Sequence, residues 1–369
     1  MGCILIFLAA GLSWAQEPWW YTLERGKMLY RSGAYGDALM AFEDARRGRI
    51  AQFTRMEQDM IMLLSIPDVR RLGDSLDFIE IYIADRLEAR AAAALAELKY
   101  RLPPNALGGS AKRALEELDR LKNYPEAEYW LGETYRAEGE LALAIRQYER
   151  ALRDRDLLET PEFDAEILYK ITDVHRIRRE YQEMERRARE IIEGTGPSGI
   201  PRDSLWAGGS AIQIRAAMAR FLENEGVNRF LNLYRHNNPL TERAHRSLGF
   251  FYYASNRFSQ ASEHLMFAFL IQNSVLIDEV IRREYDFTFT SLEDLIDYVS
   301  RRPELFAYLE ETEYYRTIHH LATALFATGK TRPSRDLWAF LAASEDAGVW
   351  GERARRSPSP IIERAVEMP

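Results

Sequence analysis

A set of small and bulky side chains recurs at fixed offsets along this chain, and that recurrence constrains its fold more than any other feature. The stretch from Pro125 to Leu158 carries Leu131, Gly132, Tyr135, Ala144, Tyr148 and Ala151. Gly132 and Ala144 stand where two antiparallel helices would approach too closely for larger side chains, with Tyr135 and Tyr148 filling the space beside them. Gly139 lies four residues past Tyr135, where the first helix needs a left-handed cap. The same offsets return with Gly26, Leu29, Gly33, Tyr35, Ala38, Phe42 and Ala45, and with Leu248, Gly249, Tyr252, Phe258, Ala261 and Ala268. Two degenerate versions follow from Tyr169, Tyr181, Ala188 and Ile191 and from Leu321, Leu325, Gly329 and Trp338, with Met184 and Ser334 at small positions.

These positions resemble the tetratricopeptide repeat, a helix-turn-helix unit about 34 residues long. The resemblance implies an all-α fold, a right-handed α-solenoid of stacked helix-turn-helix repeats. Units starting at residues 19, 125, 165, 242 and 315 leave longer intervals that divide into parts of about 35 to 39 residues. Eroded repeats fit there and would bring the total to roughly nine helix pairs. Helices are expected over Asp74 to Leu98, Ser110 to Leu121, Ser204 to Tyr234 and Leu292 to Val299, the last capped by Ser291, with Glu284 to Ser291 as an extended link. Breaks at Arg101 to Gly109 and Gly194 to Pro201 divide the chain into repeat sections at 16–101, 110–194 and 202–350. The second break would act as a hinge, and a flexible tail is expected at 351–369.

Met1 to Gln16 reads MGCILIFLAAGLSWAQ, apolar from Cys3 to Leu12, with Ser13 and Ala15 at the −3 and −1 positions of a cleavage site. Residues 1–15 are therefore expected to be a secretory signal peptide, and the mature chain to be periplasmic or associated with the envelope. Cys3, the one cysteine, would leave with the signal, so neither a disulfide nor a reactive thiol is expected in the mature chain. No later apolar run is expected to cross a bilayer, which confines membrane contact to an uncleaved signal or a partner.

The 49 basic and 57 acidic side chains give a net charge of −8, which argues against nucleic acid as a partner. Only six of the basic residues are lysine. Glutamates interleave with the arginines at helical spacing, as in Glu185 and Arg189, the mark of a solvated, ion-paired helix surface. Searches for chemistry return little. Gly194, Gly196 and Gly199 match a dinucleotide spacing but follow an arginine-rich helix and enclose Pro197. Thr328 to Thr331 resembles the end of a phosphate-binding loop, but reads better as a turn between helices. Glu242 and His245 would suit half of a di-iron site, and no second such pair exists. His175, His236, His245, His264, His319 and His320 lack zinc spacing, and no nucleophile elbow is present. A non-catalytic chain with no cofactor and no metal is the expectation.

In the tetratricopeptide family the first helices line a concave groove that binds another chain. The groove offsets fall here on Trp20, Leu23, Lys27, Tyr30 and Arg31, then on Glu126, Tyr129, Glu133, Arg136 and Ala137, and later on Arg243, Arg246, Phe250, Tyr253 and Ala254. The expected partner is a protein or extended peptide, possibly part of an envelope complex, with acidic groups meeting Arg243 and Arg246 and apolar groups meeting Phe250 and Tyr253. Two other roles suit the same fold. One is a transport-associated periplasmic subunit holding a small apolar ligand in a cavity closed by Trp19, Trp20, Phe250 or Phe251. The other is a helical support for peptidoglycan-acting machinery.

Overall fold

The protein is described from a computed structural model, which covers residues 17–64, 116, 118–195 and 201–357, with the backbone alone for 59–64. The described residues are helical throughout and hold no strand; Thr195 and Pro201 form one isolated antiparallel bridge. The expected signal peptide, the helix at Asp74 to Leu98 and the first break lie outside them, as do residues 110–115 and 196–200. Residues 1–159 and 160–369 form two compact units, so the boundary falls inside the section expected at 110–194.

The first unit contains α1 (Trp19–Arg31), α2 (Tyr35–Leu64), α3 (Pro125–Ala137) and α4 (Leu141–Arg153). The second opens with α5 (Phe163–Ile177), α6 (Tyr181–Glu193), α7 (Gly208–Glu225) and α8 (Val227–Leu233). It continues with α9 (Pro239–Ala254), α10 (Phe258–Arg283), α11 (Leu292–Ser300) and α12 (Pro303–Glu311), and closes with α13 (Tyr314–Ala327), α14 (Thr331–Ala343) and α15 (Gly348–Arg356).

Five hairpins, α1–α2, α3–α4, α5–α6, α9–α10 and α13–α14, are built alike. Each turns through one left-handed residue: Gly33, Gly139, Arg179, Asn256 or Gly329, with φ between 57° and 84°. In each, the next N–H returns to the carbonyl five residues back, as Glu140 to Tyr135 at 2.8 Å and Arg257 to Tyr252 at 2.8 Å, closing the exposed end of the first helix. Glycine removes the steric cost of this conformation at three of the turns, and asparagine tolerates it better than most residues.

The helices of a hairpin cross at a residue pair sixteen apart. A Cβ on Gly132 would stand 2.6 Å from the Tyr148 ring, one on Gly26 2.5 Å from Phe42, and one on Gly249 2.6 Å from Leu265. The large partner thus lies directly over the glycine, one turn beyond the expected alanine, while Ala144 and Ala261 are fully buried beside it. In the degenerate units the same register holds Thr172 with Ala188 and Ala322 with Trp338, all buried. Size is traded between the two positions, and one small member is kept in every pair.

Within each unit the second helix of one hairpin packs on the first helix of the next, α2 on α3 in the first unit and α6 on α9 and α10 on α13 in the second. First helices also touch: α1 meets α3, and in the second unit α5 meets α9, α9 meets α13 and α13 meets α15. The first unit's core joins Trp19, Leu23, Phe42, Tyr124 and Leu131. The second unit is built around α10, which passes the length and composition tests for a membrane span and so corrects the expectation that no such run exists. Most of its apolar window is nonetheless buried inside the unit. Two of its buried polar residues find partners there: Gln272 donates to Glu242 at 2.7 Å and Asn273 accepts from the Tyr314 hydroxyl at 2.8 Å.

Two further expectations change. Ser204 to Tyr234 is not one helix: Gly226, at φ 88°, separates α7 from α8. Residues 351–356 are not tail but the body of α15, held to α14 through buried Gly351 and Ala354. The second unit's two long intervals each contain one extra helix pair, α7–α8 and α11–α12. The Ser291 cap is present, its hydroxyl accepting from the Asp294 N–H at 3.1 Å, and Glu284 to Ser291 is a non-helical link.

Gly132→Ala is expected to cost about 1–3 kcal/mol in urea unfolding, because the methyl must displace a buried ring. Gly36→Ala, in an α2 position with nothing within 4 Å of the added carbon, is expected to be neutral or stabilising.

Candidate functional site: the faces of the first helices

In the first unit, α1 and α3 bring Lys27, Tyr30, Glu133 and Arg136 together around Trp130. The Lys27 ammonium lies 5.8 Å from the Trp130 ring and pairs with Glu24 at 2.7 Å, and Tyr30 meets Trp130 at 5.5 Å. Arg136 pairs with Glu133 at 3.2 Å, and the buried Tyr148 hydroxyl donates to the same carboxylate. Burial, reinforced by the Glu133 charge, raises the Tyr30 hydroxyl's pKa. Tyr129 turns inward against Tyr148 at 5.9 Å, so it belongs to the core. Trp20, 54% exposed, and Arg31 stand in solvent.

The second unit has a face of its own, formed by α5, α9, α13 and α15. Arg243 on α9 stacks 4.0 Å from the Tyr169 ring of α5 and pairs with Glu166 at 3.2 Å. Arg246 lies between two carboxylates, Glu242 at 3.0 Å and Glu313 at 2.8 Å. Arg316 on α13 covers Phe250 at 4.4 Å and shares Glu313 at 2.6 Å. The His320 ring sits 4.3 Å from Tyr253, 5.3 Å from Phe250 and 5.4 Å from Trp350, which also meets the His319 ring at 5.4 Å and the Arg353 guanidinium at 4.7 Å. Enclosure among these rings pushes the His320 pKa down to about 3, and burial pushes that of His319 to about 4.

The cations expected to wait for an acidic partner are therefore compensated from within the fold. What the face offers is ring surface and the outer edges of stacked guanidinium groups. Sequence reasoning reached Arg243, Arg246, Phe250 and Tyr253 but missed Glu166, Tyr169, Arg316, His320 and Trp350. Carrying the groove offsets onto the two degenerate units would have found Glu166, Tyr169 and Arg316. His320 lies off those offsets, and Trp350 lies next to the stretch read as tail.

Behind the face lies a buried polar ladder. Asp203 Oδ2 accepts from His236 Nε2 at 3.1 Å and from His245 Nε2 at 3.2 Å, and its Oδ1 accepts from the Leu205 N–H at 3.0 Å. Since neutral His245 donates from Nε2, its Nδ1 accepts, and His264 Nδ1 donates to it at 3.2 Å. Trp206 covers His264 at 4.6 Å. Burial holds both His245 and His264 below the ordinary histidine value, while the two imidazole hydrogen bonds outweigh burial and hold the Asp203 carboxyl well below the usual carboxylate range. The ladder ties the segment around Asp203 to α9 and α10. Glu242, one turn before His245, accepts instead from Arg246 and Gln272. Among the described residues no group of three His, Cys, Asp or Glu side chains is placed so that it could hold a metal ion.

The rings expected to close an apolar cavity are engaged elsewhere. Trp19 packs under Arg49 at 4.9 Å and against Tyr124 at 4.9 Å, and Phe251 stacks on Tyr181 at 5.5 Å. Thr328 to Thr331 is the turn between α13 and α14.

No family model matches the chain. It is similar to an uncharacterized protein of Treponema pallidum (strain Nichols), 24% identical over 339 residues that cover 92% of this chain and 89% of that one.

His245, His264, His319 and His320 all hold fewer protons folded than unfolded below about pH 6.5. Unfolding then takes up protons, so stability falls as pH drops from about 7 towards 4, while the Asp203 contribution is lost only below about pH 4. Thermal melts should show a lower midpoint at pH 5 than at pH 7, and His320→Phe should narrow that difference.

Proposed function

We propose that this chain is a non-catalytic protein- or peptide-binding scaffold of the tetratricopeptide type, an α-solenoid exported to the periplasm or cell envelope. The repeat reading is supported by five hairpins that share one turn, three of which share one glycine crossing sixteen residues apart. Export is supported by the apolar start and the small residues before Gln16.

The observation that carries the binding role is the way neighbouring first helices in the second unit are joined. At two successive places an arginine of one helix lies over an aromatic ring of its neighbour, Arg243 over Tyr169 at 4.0 Å and Arg316 over Phe250 at 4.4 Å, and Arg353 lies over Trp350 of its own helix, α15, at 4.7 Å. Tyr, Trp and Arg are the residues that dominate binding energy at protein interfaces, since they bring large rigid area and directed donors together. Stacking holds each guanidinium in place before a partner arrives, which lowers the entropy lost on binding. An extended peptide crossing the helices would meet ring surface and oriented donors at each step.

Affinity capture from envelope extracts, using the chain from Gln16 onward, tests this against an Arg243→Gln, Arg353→Gln variant with unchanged circular dichroism. At least one partner should fall tenfold or more in recovery; equal recovery of all partners contradicts the reading. Cell fractionation tests export separately: a periplasmic product beginning at Gln16 is expected, and an unprocessed cytosolic chain contradicts it.

A further inference from the structure

The link between α10 and α11 takes no part in the face of the first helices, and from Phe287 to Ser291 it runs without bend or turn. Its side chains alternate. Phe289 is buried with the Arg235 guanidinium 5.5 Å from its ring, Phe287 is half-buried against Tyr298 at 5.8 Å, and Ser291 caps α11. Thr288 and Thr290 between them are exposed. This is the two-residue period of a strand lying on a core, written in residues that favour strands.

The backbone of this strand is unpaired. Among the described residues nothing donates to the carbonyls of residues 285–290, and the N–H groups of Thr288, Phe289, Thr290 and Ser291 find no acceptor. The link at residues 234–238 is closed by contrast: the His236 N–H reaches the Ser274 hydroxyl at 3.0 Å, and the Asn237 and Asn238 amides bond to Asp278 and to the Arg202 carbonyl. A row of open donors and acceptors is matched by another extended backbone. Natural sequences guard such an edge with proline, lysine or a bulge, and neither proline nor lysine stands between Tyr285 and Ser291. An independent observation lies at its start. The Tyr285 ring is 93% exposed and touches no other ring among the described residues, free to cover a side chain of an added strand.

Charge selects the occupant. Asp286 at one end and Asp294 at the other pair with no lysine or arginine among the described residues. Arg282 and Arg283 are already taken by Glu279 and Glu304. Two copies paired antiparallel about Phe289 would bring Asp286 of each towards Asp294 of the other, like charge against like. A strand with basic ends meets both carboxylates favourably.

We propose that the edge from Phe287 to Ser291 binds an extended segment of a partner chain as an added β-strand, with lysine or arginine at the ends of that segment and Tyr285 covering one of its side chains.

Hydrogen exchange and fluorescence anisotropy on the chain from Gln16 onward test this with the labelled peptide Lys-Thr-Val-Thr-Val-Thr-Lys. The peptide should bind saturably and slow amide exchange within residues 287–291 at least tenfold. A version methylated on its central backbone nitrogens, and one with glutamate at both ends, should each bind at least tenfold more weakly. Tyr285→Ala, at a position whose exposure leaves the fold untouched, should weaken binding threefold or more. The Arg243→Gln, Arg353→Gln variant should bind the peptide as the parent does, which separates this edge from the scaffold reading. Failure to saturate, equal binding of the methylated or acidic peptide, or slowed exchange only outside the link would each overturn the proposal. Exchange at 287–291 already slow without peptide would also overturn it, assigning the edge to a second copy where sedimentation shows a dimer and to another part of this chain where it shows a monomer.

Discussion

The close crossing inside each hairpin is the contact on which everything else in this molecule depends. Where Gly132 passes under Tyr148 or Gly249 under Leu265, the helices approach until a side chain of one rests on the backbone of the other. At that distance the hairpin has little freedom of rotation, and the residues pointing away from the crossing are placed by it. The left-handed turn fourteen residues into every unit does the complementary work of ending the first helix at the right height. A crossing and a turn in one register, repeated, bring successive first helices side by side, and that is why Arg243 finds Tyr169 and Arg316 finds Phe250.

The chemistry of the face follows from what its charges cost. A bare arginine row would repel itself, and a buried one would leave donors without acceptors. Here Arg243, Arg316 and Arg353 each have a ring beneath them, and Arg243, Arg246 and Arg316 have a carboxylate beside them. Cation–π stacking and charge-assisted hydrogen bonds both strengthen as water is excluded, so a partner that dries the face would tighten contacts already made.

The hairpins were legible in the sequence because a close crossing can be made in few ways. Glycine or alanine must stand on one side with a bulky residue on the other, and the letters say so at Gly26, Gly132 and Gly249. The pair Thr172 and Ala188 was harder to see because size had moved from the second helix to the first, which preserves the volume and erases the pattern. The break at Gly226 was hidden because a single glycine within an apolar stretch is compatible with one long helix until its φ is known. The α15 helix was read as tail because its charged letters face solvent, while Gly351 and Ala354, which make its contact, carry almost no signal. The buried ladder around Asp203 joins residues 19 to 42 positions apart in the chain, and no local spacing announces such a network. The face was half legible for the same reason as the hairpins: its strong units could be placed in register, and its weak ones were not carried through.

A double-mutant cycle at the α9–α10 crossing, with Gly249→Ala and Leu265→Ala measured singly and together by chemical unfolding, tests the central claim most directly. If the glycine exists to admit the leucine, the added methyl should be tolerated once the leucine is cut back, giving a coupling of more than about 1 kcal/mol. Additive single effects, with coupling near zero, would mean that the helices do not meet there, and the register that orders the rest of the molecule would fail with it.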